Sequence, residues 1–177
     1  MSTRRLNLPT VLTLSRIILI PVFVVTVYLH PVFGTLIFGI ASLTDFLDGY
    51  LARRSGQITT FGIILDPIAD KFLVISALIV LVDMERLAAW IAITIIVREF
   101  LVTGLRVVAL SKDIVIPAET GGKIKTTLQI TAIICLILMR NISFIDLYDI
   151  GIVLIWLALV LSIVSGVRYT VTFWKKI

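Results

Sequence analysis

The sequence predicts an all-α integral membrane protein, a bundle of six transmembrane helices with both termini in the cytoplasm. Three observations lead to this fold class. Apolar residues make up 59% of the 177 residues and the mean hydropathy is +1.13, above what is usual for soluble domains. Six apolar segments approach the roughly 20 residues that a helix needs to span a bilayer. Within them the apolar residues run continuously instead of alternating, which disfavours strands.

The six segments follow one another closely and form one domain over residues 1–177. The first begins after Asn7 with Pro9, a combination typical of a helix start. Only the stretch RRSGQIT separates the second segment from the third, so these two helices are expected to be antiparallel neighbours. Two glycines, Gly121 and Gly122, mark the break before the fifth. The segments lie at about residues 8–29, 32–52, 60–82, 87–110, 122–140 and 148–172.

The charges between the segments predict the orientation, because cytoplasmic loops carry an excess of Lys and Arg. With the N-terminus inside, the cytoplasmic side has the acids Asp113 and Glu119 against a longer series of bases: Arg4, Arg5, Arg53, Arg54, Lys112, Lys123, Lys125, Arg168, Lys175 and Lys176. The opposite side is acidic on balance, with Asp83, Glu85, Asp146 and Asp149 against Arg86 and Arg140. A basic cytoplasmic face suits anionic lipid headgroups, and nothing else in the sequence suggests nucleic acid.

Four aspartates lie in this apolar chain where they are costly. Asp45 and Asp48 are three residues apart near the end of the second segment, and Asp66 and Asp70 are four apart at the start of the third. Each pair therefore shares one face of a helix. Four carboxylates at similar depth would repel one another unless cations lay among them. Hard oxygen ligands suit Mg²⁺, Mn²⁺ or Ca²⁺, so the pattern predicts a site for two divalent ions.

A structural role is the alternative for these acids. They would then pair with Arg53, Lys71 or Arg98 and hold helices together. Ionisable residues inside a membrane are usually functional, which favours the metal site. Gly49 and Ala52 open a gap on the second helix, for close approach of a flat ligand or for helix–helix contact, and the spacing does not decide between them.

The acids belong to a longer motif, D-x2-D-G-x2-A-R-x8-G-x3-D-x3-D, which is the signature of the CDP-alcohol phosphotransferases. By this signature the chain resembles that family. Other stretches (NLPTVLTLSRIILIPVF, FGIILDPIADK, REFLVTGLR and GKIKTTLQ) are similar to its phosphatidylglycerophosphate synthase branch, and the likeness covers nearly the whole chain. Every position of the signature is present: Asp45, Asp48, Gly49, Ala52, Arg53, Gly62, Asp66 and Asp70.

The resemblance implies a reaction in which CDP-diacylglycerol and sn-glycerol 3-phosphate give phosphatidylglycerol phosphate and CMP. It implies two divalent cations, Mg²⁺ or Mn²⁺, bound by Asp45, Asp48, Asp66 and Asp70. Asp70 would also be the catalytic base on the acceptor hydroxyl. The resemblance further implies a homodimer in the cell's inner (cytoplasmic) membrane, with the active site facing the cytoplasm. Its CDP-diacylglycerol site would comprise Asp48, Gly49, Ala52, Arg53 and Gly62.

The acceptor is an anion, so basic residues are expected around its phosphate. Glu99, Thr103 and Arg106 form one stripe on the fourth helix, with Arg98 adjacent. The predicted acceptor-phosphate residues are Arg106, Lys123, Lys125 and Arg168. The alternative is that Lys123, Lys125 and Arg168 are ordinary cytoplasmic-side charges, and that Arg98 and Glu99 only pair with neighbouring residues.

Two other functions are compatible with parts of this pattern. A sister enzyme would use the same donor with phosphatidylglycerol (as a cardiolipin synthase), inositol phosphate or serine as acceptor. A divalent-cation transporter would use the carboxylates for permeation. Transport sites tend to lie at the midplane between repeated halves, whereas these acids fall in one adjacent helix pair with no counterpart in a second half.

Overall fold

The computed structural model of the chain describes the backbone of residues 8–55, 60–111, 121–138, 141–142 and 145–176. It describes side-chain environments over residues 17–44, 71–109, 124–138 and 146–175. In these ranges the chain is almost entirely helical, which confirms the predicted all-α class. The helices are α1 (Leu8–Leu29), α2 (Pro31–Ser55), α3 (Thr60–Asp83), α4 (Ala89–Ser111), α5 (Gly121–Leu138) and α6 (Leu147–Lys176).

Each predicted apolar segment coincides with one helix, with ends shifted by a few residues. The sequence did not predict the short connection before α6, where β1 (Asn141–Ile142) pairs antiparallel with β2 (Ile145–Asp146). At the end of β2, the Asp146 carboxylate accepts a hydrogen bond from the Tyr148 backbone N–H at 2.8 Å. This is an N-cap, which satisfies one of the free amides at the start of α6.

One helix in the described part of the chain is long and apolar enough to cross a membrane. It is Leu147–Lys175 within α6, with a mean hydropathy of 2.7. The helix α4 is of similar length, but Arg98, Glu99 and Arg106 interrupt its apolar surface. The described parts of α1, α2 and α5 are apolar but shorter. Six spans and two cytoplasmic termini therefore stay predictions.

By compactness the chain divides into two units, Met1–Val80 and Leu81–Ile177. In the first unit α1 and α2 pack as a hairpin around the fully buried rings of Phe23 and Phe38, whose centroids are 5.5 Å apart. The helices come closest at Gly34, where an added Cβ would lie 2.5 Å from the Val27 Cα. Glycine is therefore required at this position by the approach of the two backbones.

In the second unit α6 packs against both α4 and α5. The connection after α5 returns the chain along it, and Gly151 of α6 lies against Leu136 of α5. Trp90 of α4 meets Trp156 of α6 edge-to-face, with ring centroids 5.4 Å apart. The core between these helices consists of side chains with little or no exposure, among them Ile95, Ile133, Leu136, Ile137, Ile155, Ala158 and Leu159.

The turn between α3 and α4 closes the C-terminal end of α3. Glu85 adopts a positive φ of 57°. Its N–H bonds to the Val82 carbonyl at 3.0 Å, and the Arg86 N–H bonds to the Leu81 carbonyl at 2.8 Å. These two bonds form a Schellman motif, with Glu85 at the position usually taken by glycine.

The side chain of Arg86 extends from this turn to the last turn of α5. Its guanidinium donates to the Ile137 carbonyl at 2.5 Å and to the Leu136 carbonyl at 3.3 Å. Burial lowers the pKa of Arg86 from its ordinary value. A cation bound to terminal carbonyls also suits the negative end of the helix dipole, so Arg86 ties α5 to the α3–α4 turn.

Candidate functional site

The signature residues lie on two consecutive helices. Asp45 and Asp48 fall in the second half of α2, and Asp66 and Asp70 in the first half of α3. The backbone is helical at all four positions, so the spacings of three and four residues put each pair on one side of its helix. The side chains of these aspartates, of Ala52 and of Arg53 lie outside the described residues, as do the surroundings of Gly49 and Gly62.

The chemistry of this donor set fits a divalent cation. Four carboxylates on helical backbone supply hard oxygen atoms, which Mg²⁺ and Mn²⁺ prefer to nitrogen or sulfur ligands. Among the residues whose side chains are described, no group of three or more His, Cys, Asp or Glu could hold a metal ion. The signature aspartates are the candidate ligands because they supply the four carboxylates of the predicted site.

The predicted acceptor residues differ in their surroundings. Arg106 of α4 and Arg168 of α6 are exposed, whereas Lys125 of α5 is buried, with only 6% of its side chain accessible. The side chain of Lys123 lies outside the described residues. Lysine is rarely buried unless it is paired, and Lys125 contacts the carboxylate Oε1 of Glu99 in α4. This contact joins the α5 lysine to the predicted polar stripe of α4.

Glu99 also pairs with a second cation, Arg98, which lies on its own helix. The Arg98 guanidinium donates to the same Oε1 atom at 3.0 Å, and both side chains are largely buried, at 15% and 17% exposure. Thr103, one turn further along, donates to the Glu99 backbone carbonyl at 2.7 Å. One carboxylate oxygen therefore bridges an arginine and a lysine from different helices.

Arg98 connects this ion cluster to α6. Its Nε donates to the Ser162 backbone carbonyl at 2.7 Å, and its Nη2 donates to the Ser165 hydroxyl. The arginine crosses α6 over Gly166, where an added Cβ would lie 3.1 Å from the Arg98 Nε. The absence of a side chain at Gly166 thus leaves room for the guanidinium.

Three polar atoms of this unit are buried with no hydrogen-bond partner within the described part of the chain. They are the Gln129 amide nitrogen, the Ser162 hydroxyl and the Tyr169 hydroxyl. Gln129 is one turn after Lys125 on α5, and Ser162 and Tyr169 lie on the same side of α6, two turns apart. Unpaired buried polar groups are costly, and Gln129 puts one of them within a turn of Lys125 on α5.

The sequence singled out Arg98, Glu99 and Lys125 but did not pair them. It allowed only that Arg98 and Glu99 would pair with neighbouring residues. The available signal was the presence of three charged residues inside two apolar segments, which must find partners to be buried. Spacing along the chain does not reveal that a contact spans 26 residues from α4 to α5.

Comparisons with known proteins cover nearly the whole chain. A family model described as CDP-alcohol phosphatidyltransferase matches residues 6–164. A Bacillus subtilis protein named CDP-diacylglycerol–glycerol-3-phosphate 3-phosphatidyltransferase is 40% identical over an alignment of 189 positions, which covers 97% of each chain. Proteins of the same name from Rickettsia bellii and Salmonella typhimurium are 41% and 43% identical, over 92% of this chain and 93% and 92% of their own length.

Proposed function

Because the chain belongs to the CDP-alcohol phosphatidyltransferase family, we propose that it transfers the phosphatidyl group of CDP-diacylglycerol to sn-glycerol 3-phosphate. The products are phosphatidylglycerol phosphate and CMP, and the reaction is a step of phospholipid biosynthesis. The observation that carries this proposal is the near-full-length identity of about 40% to relatives named for this reaction. The complete signature on α2 and α3 supports it independently.

In this proposal the four signature aspartates hold two divalent cations, Mg²⁺ or Mn²⁺. Asp45, Asp48 and Asp66 are the principal ligands, and Asp70 contributes both to the metal site and to proton transfer. When bound, the cations neutralise charge on the diphosphate and on the departing CMP. The helical backbone through all four positions supports this assignment, because it keeps each carboxylate pair on one side of its helix.

The chemical step is a displacement at phosphorus. Asp70 takes the proton from the acceptor hydroxyl, and that oxygen attacks the phosphorus that carries the diacylglycerol. A new P–O bond forms there as the diphosphate P–O bond breaks, and CMP leaves with the bonding electrons. Phosphoryl transfer of this kind depends mainly on positioning and on charge neutralisation, which is what a cluster of acids with bound cations provides.

Two groups of residues are proposed to bind the two substrates. Gly49 and Ala52 would let the cytidine approach the helix backbone, and Arg53 would contact the nucleotide end. Asp48 and Gly62 would complete the CDP-diacylglycerol site. Arg106, Lys123, Lys125 and Arg168 would bind the acceptor phosphate, since Arg and Lys form strong charge-assisted bonds to phosphate. The burial of Lys125 supports a specific role for it, because a loop charge would extend into water.

The lipid donor places the reaction at a membrane. We propose six spans, both termini in the cytoplasm, an active site facing the cytoplasm of the inner membrane, and a homodimeric assembly of single-domain chains. The apolar exposed side of α6, with Val153, Leu157 and Val160, supports membrane insertion. The excess of Lys and Arg on one set of loops supports the orientation.

An acceptor panel on the purified protein tests the reaction. CMP release from CDP-diacylglycerol is measured with sn-glycerol 3-phosphate, phosphatidylglycerol, inositol phosphate or serine as acceptor, each with Mg²⁺, with Mn²⁺ and with a chelator. Of the four acceptors, we expect only glycerol 3-phosphate to give CMP release. The release should be lost when a chelator is added and should return with either Mg²⁺ or Mn²⁺. Release with another acceptor would reassign the chain to a sister activity. No release with any acceptor would remove the proposal.

A further inference from the structure

The surroundings of Lys125 are not those of a cytoplasmic-side lysine. Its ammonium group lies inside the second unit against the Glu99 carboxylate. A flexible four-carbon side chain normally keeps its charge in water, and burying it gives up hydration and rotamer freedom. Those costs mean that this lysine is held at a defined place.

The contact that holds it runs through two residues of α4 to α6. Glu99 binds Lys125 and Arg98 through one oxygen. Arg98 is in turn fixed by a backbone carbonyl and a hydroxyl of α6, and Gly166 leaves the space for it. A backbone carbonyl cannot rotate away as a side chain can, so it makes a rigid anchor for this chain of contacts.

We propose that Glu99 is a positioning residue of the acceptor site, which with Arg98 fixes the Lys125 ammonium relative to α6. The proposal rests on the function proposed above, in which Lys125 and Arg168 bind the acceptor phosphate. An ammonium carries three N–H donors and can therefore contact a carboxylate and a phosphate together. A cation already held in place costs less to order when the anion arrives. Glu99 therefore acts on binding of the acceptor and not on the donor.

A purely structural role for the cluster of Arg98, Glu99 and Lys125 predicts a different outcome. If Arg98, Glu99 and Lys125 only join α4, α5 and α6, then weakening the cluster loosens the whole unit. Stability would fall, and the Michaelis constants of both substrates would change together. A positioning role instead separates the two constants, because only the glycerol 3-phosphate complex uses Lys125.

The first experiment is the variant Glu99→Gln, which keeps the shape and one acceptor oxygen but removes the charge. Hydrogen bonds to charged groups predict a rise of roughly tenfold in the KM for glycerol 3-phosphate. We expect kcat and the KM for CDP-diacylglycerol to stay within about twofold of the parent protein, since the reacting groups are untouched. Equal changes in both Michaelis constants would overturn the proposal.

The matched control is Arg86→Gln. Arg86 is also a partly buried cation bound to α5, but it contacts the opposite end of that helix. We expect this variant to lower the melting temperature without changing the ratio of the two Michaelis constants. If Arg86→Gln shifts that ratio as Glu99→Gln does, the effect is a general loosening of the unit and the proposal fails.

A double variant tests whether Glu99 acts through Lys125. Lys125→Gln alone should raise the KM for glycerol 3-phosphate, and adding Glu99→Gln should raise it no further, because the group to be positioned is gone. Additive effects would show that Glu99 acts independently and would overturn the proposal. If the parent protein releases no CMP with glycerol 3-phosphate, it is the proposed function that has failed.

A milder variant covers the case in which Glu99→Gln does not fold. Ser165→Ala removes the hydroxyl anchor of Arg98 and leaves all three charges in place. We expect a rise in the KM for glycerol 3-phosphate in the same direction, of about two- to threefold, with the donor constant unchanged. A parent-like acceptor KM in this variant would contradict the chain of contacts from α6 to Lys125.

Discussion

Asp70 has two roles in the proposed reaction, as metal ligand and as base, and they can be separated. Asp70→Asn keeps the size of the side chain and one oxygen but cannot take a proton from the acceptor. General-base catalysis contributes about 10²- to 10⁴-fold to the rate, so we expect the rate of CMP release to fall at least about 100-fold. Binding of CDP-diacylglycerol and Mn²⁺ should persist, measured by equilibrium titration of the purified variant.

The contrast variant is Asp45→Asn, which alters a residue proposed only as a ligand. We expect weaker Mn²⁺ binding there, and partial recovery of turnover at high metal concentration. If added metal restores the turnover of Asp70→Asn to the parent rate, Asp70 is not the base. Parent-like turnover of Asp70→Asn without added metal would lead to the same conclusion.

At the residue scale, the sequence reveals sites whose members are close together along the chain. The aspartates of α2 and α3 are recognisable because helical spacing converts directly into a shared face. The cluster of Arg98, Glu99 and Lys125 was not recognisable, because it forms only once α4, α5 and α6 pack together. Burial likewise distinguishes Lys125 from the exposed Arg106 and Arg168, and composition alone treats all three as the same positive charge.

At the scale of elements, the α1–α2 hairpin depends on one glycine. A methyl group at Gly34 would lie 2.5 Å from the Val27 Cα and 2.9 Å from its backbone nitrogen, so α1 itself would have to move. Overpacking of this kind costs about 1–3 kcal/mol. We expect Gly34→Ala to lower the free energy of unfolding by about that amount, measured by denaturation in detergent micelles.

Gly39, on the same helix, provides the control for Gly34. A Cβ at Gly39 meets nothing within 4 Å, and alanine is the better helix former by about 0.5–1 kcal/mol. We expect Gly39→Ala to be neutral or stabilising. Equal destabilisation by the two substitutions would show that the cost comes from the loss of glycine itself and not from contact between the helices.

The α3–α4 turn is strained at one position. Glu85 occupies the left-handed region, with a φ of 57°, where a side chain costs about 1 kcal/mol and glycine costs little. We expect Glu85→Gly to raise the free energy of unfolding by up to about 1 kcal/mol, since part of the gain is lost to the greater freedom of glycine in the unfolded chain. Thermal unfolding in micelles measures it.

Glu85→Ala separates backbone strain from loss of the charge. Alanine keeps a Cβ and therefore keeps the strain, so it should give none of the gain. If Glu85→Ala stabilises as much as Glu85→Gly, the benefit comes from removing the carboxylate and the account of the turn is wrong.

Helix positions were predictable because long apolar runs fix them, whereas helix ends depend on local contacts. The helix α6 continues to Lys176, past the apolar run, because Tyr169 and Phe173 are four residues apart and both buried. The β1–β2 pair has two residues in each strand, too few for a strand pattern to emerge. The cap at Asp146 and the Schellman turn at Glu85 are equally local and carry no periodic signal.

At the scale of the whole molecule, the number of membrane crossings is the main open prediction. In the described part of the chain, α6 alone meets the length and composition of a spanning helix, whereas the six apolar segments of the sequence predict six spans. One topology has six spans, and in the other α6 alone crosses the membrane. In both of them the α3–α4 turn and the C-terminus lie on opposite sides. The two topologies differ at the α4–α5 connection, around Lys112.

Single cysteines introduced at Met84, Lys112 and Lys175 test the crossings. The native Cys135 is first replaced by serine, and a membrane-impermeant maleimide is applied to intact cells and then to permeabilised cells. With six spans, Met84→Cys reacts in intact cells, whereas Lys112→Cys and Lys175→Cys react only after permeabilisation. One helix, α4, separates Met84 from Lys112, and two helices, α5 and α6, separate Lys112 from Lys175. The basic residues Lys112, Lys175 and Lys176 favour that result, because cations are retained on the cytoplasmic side. Labelling of Lys112→Cys together with Met84→Cys in intact cells would mean that α4 does not cross, and the chain would then have fewer spans than its apolar segments predict.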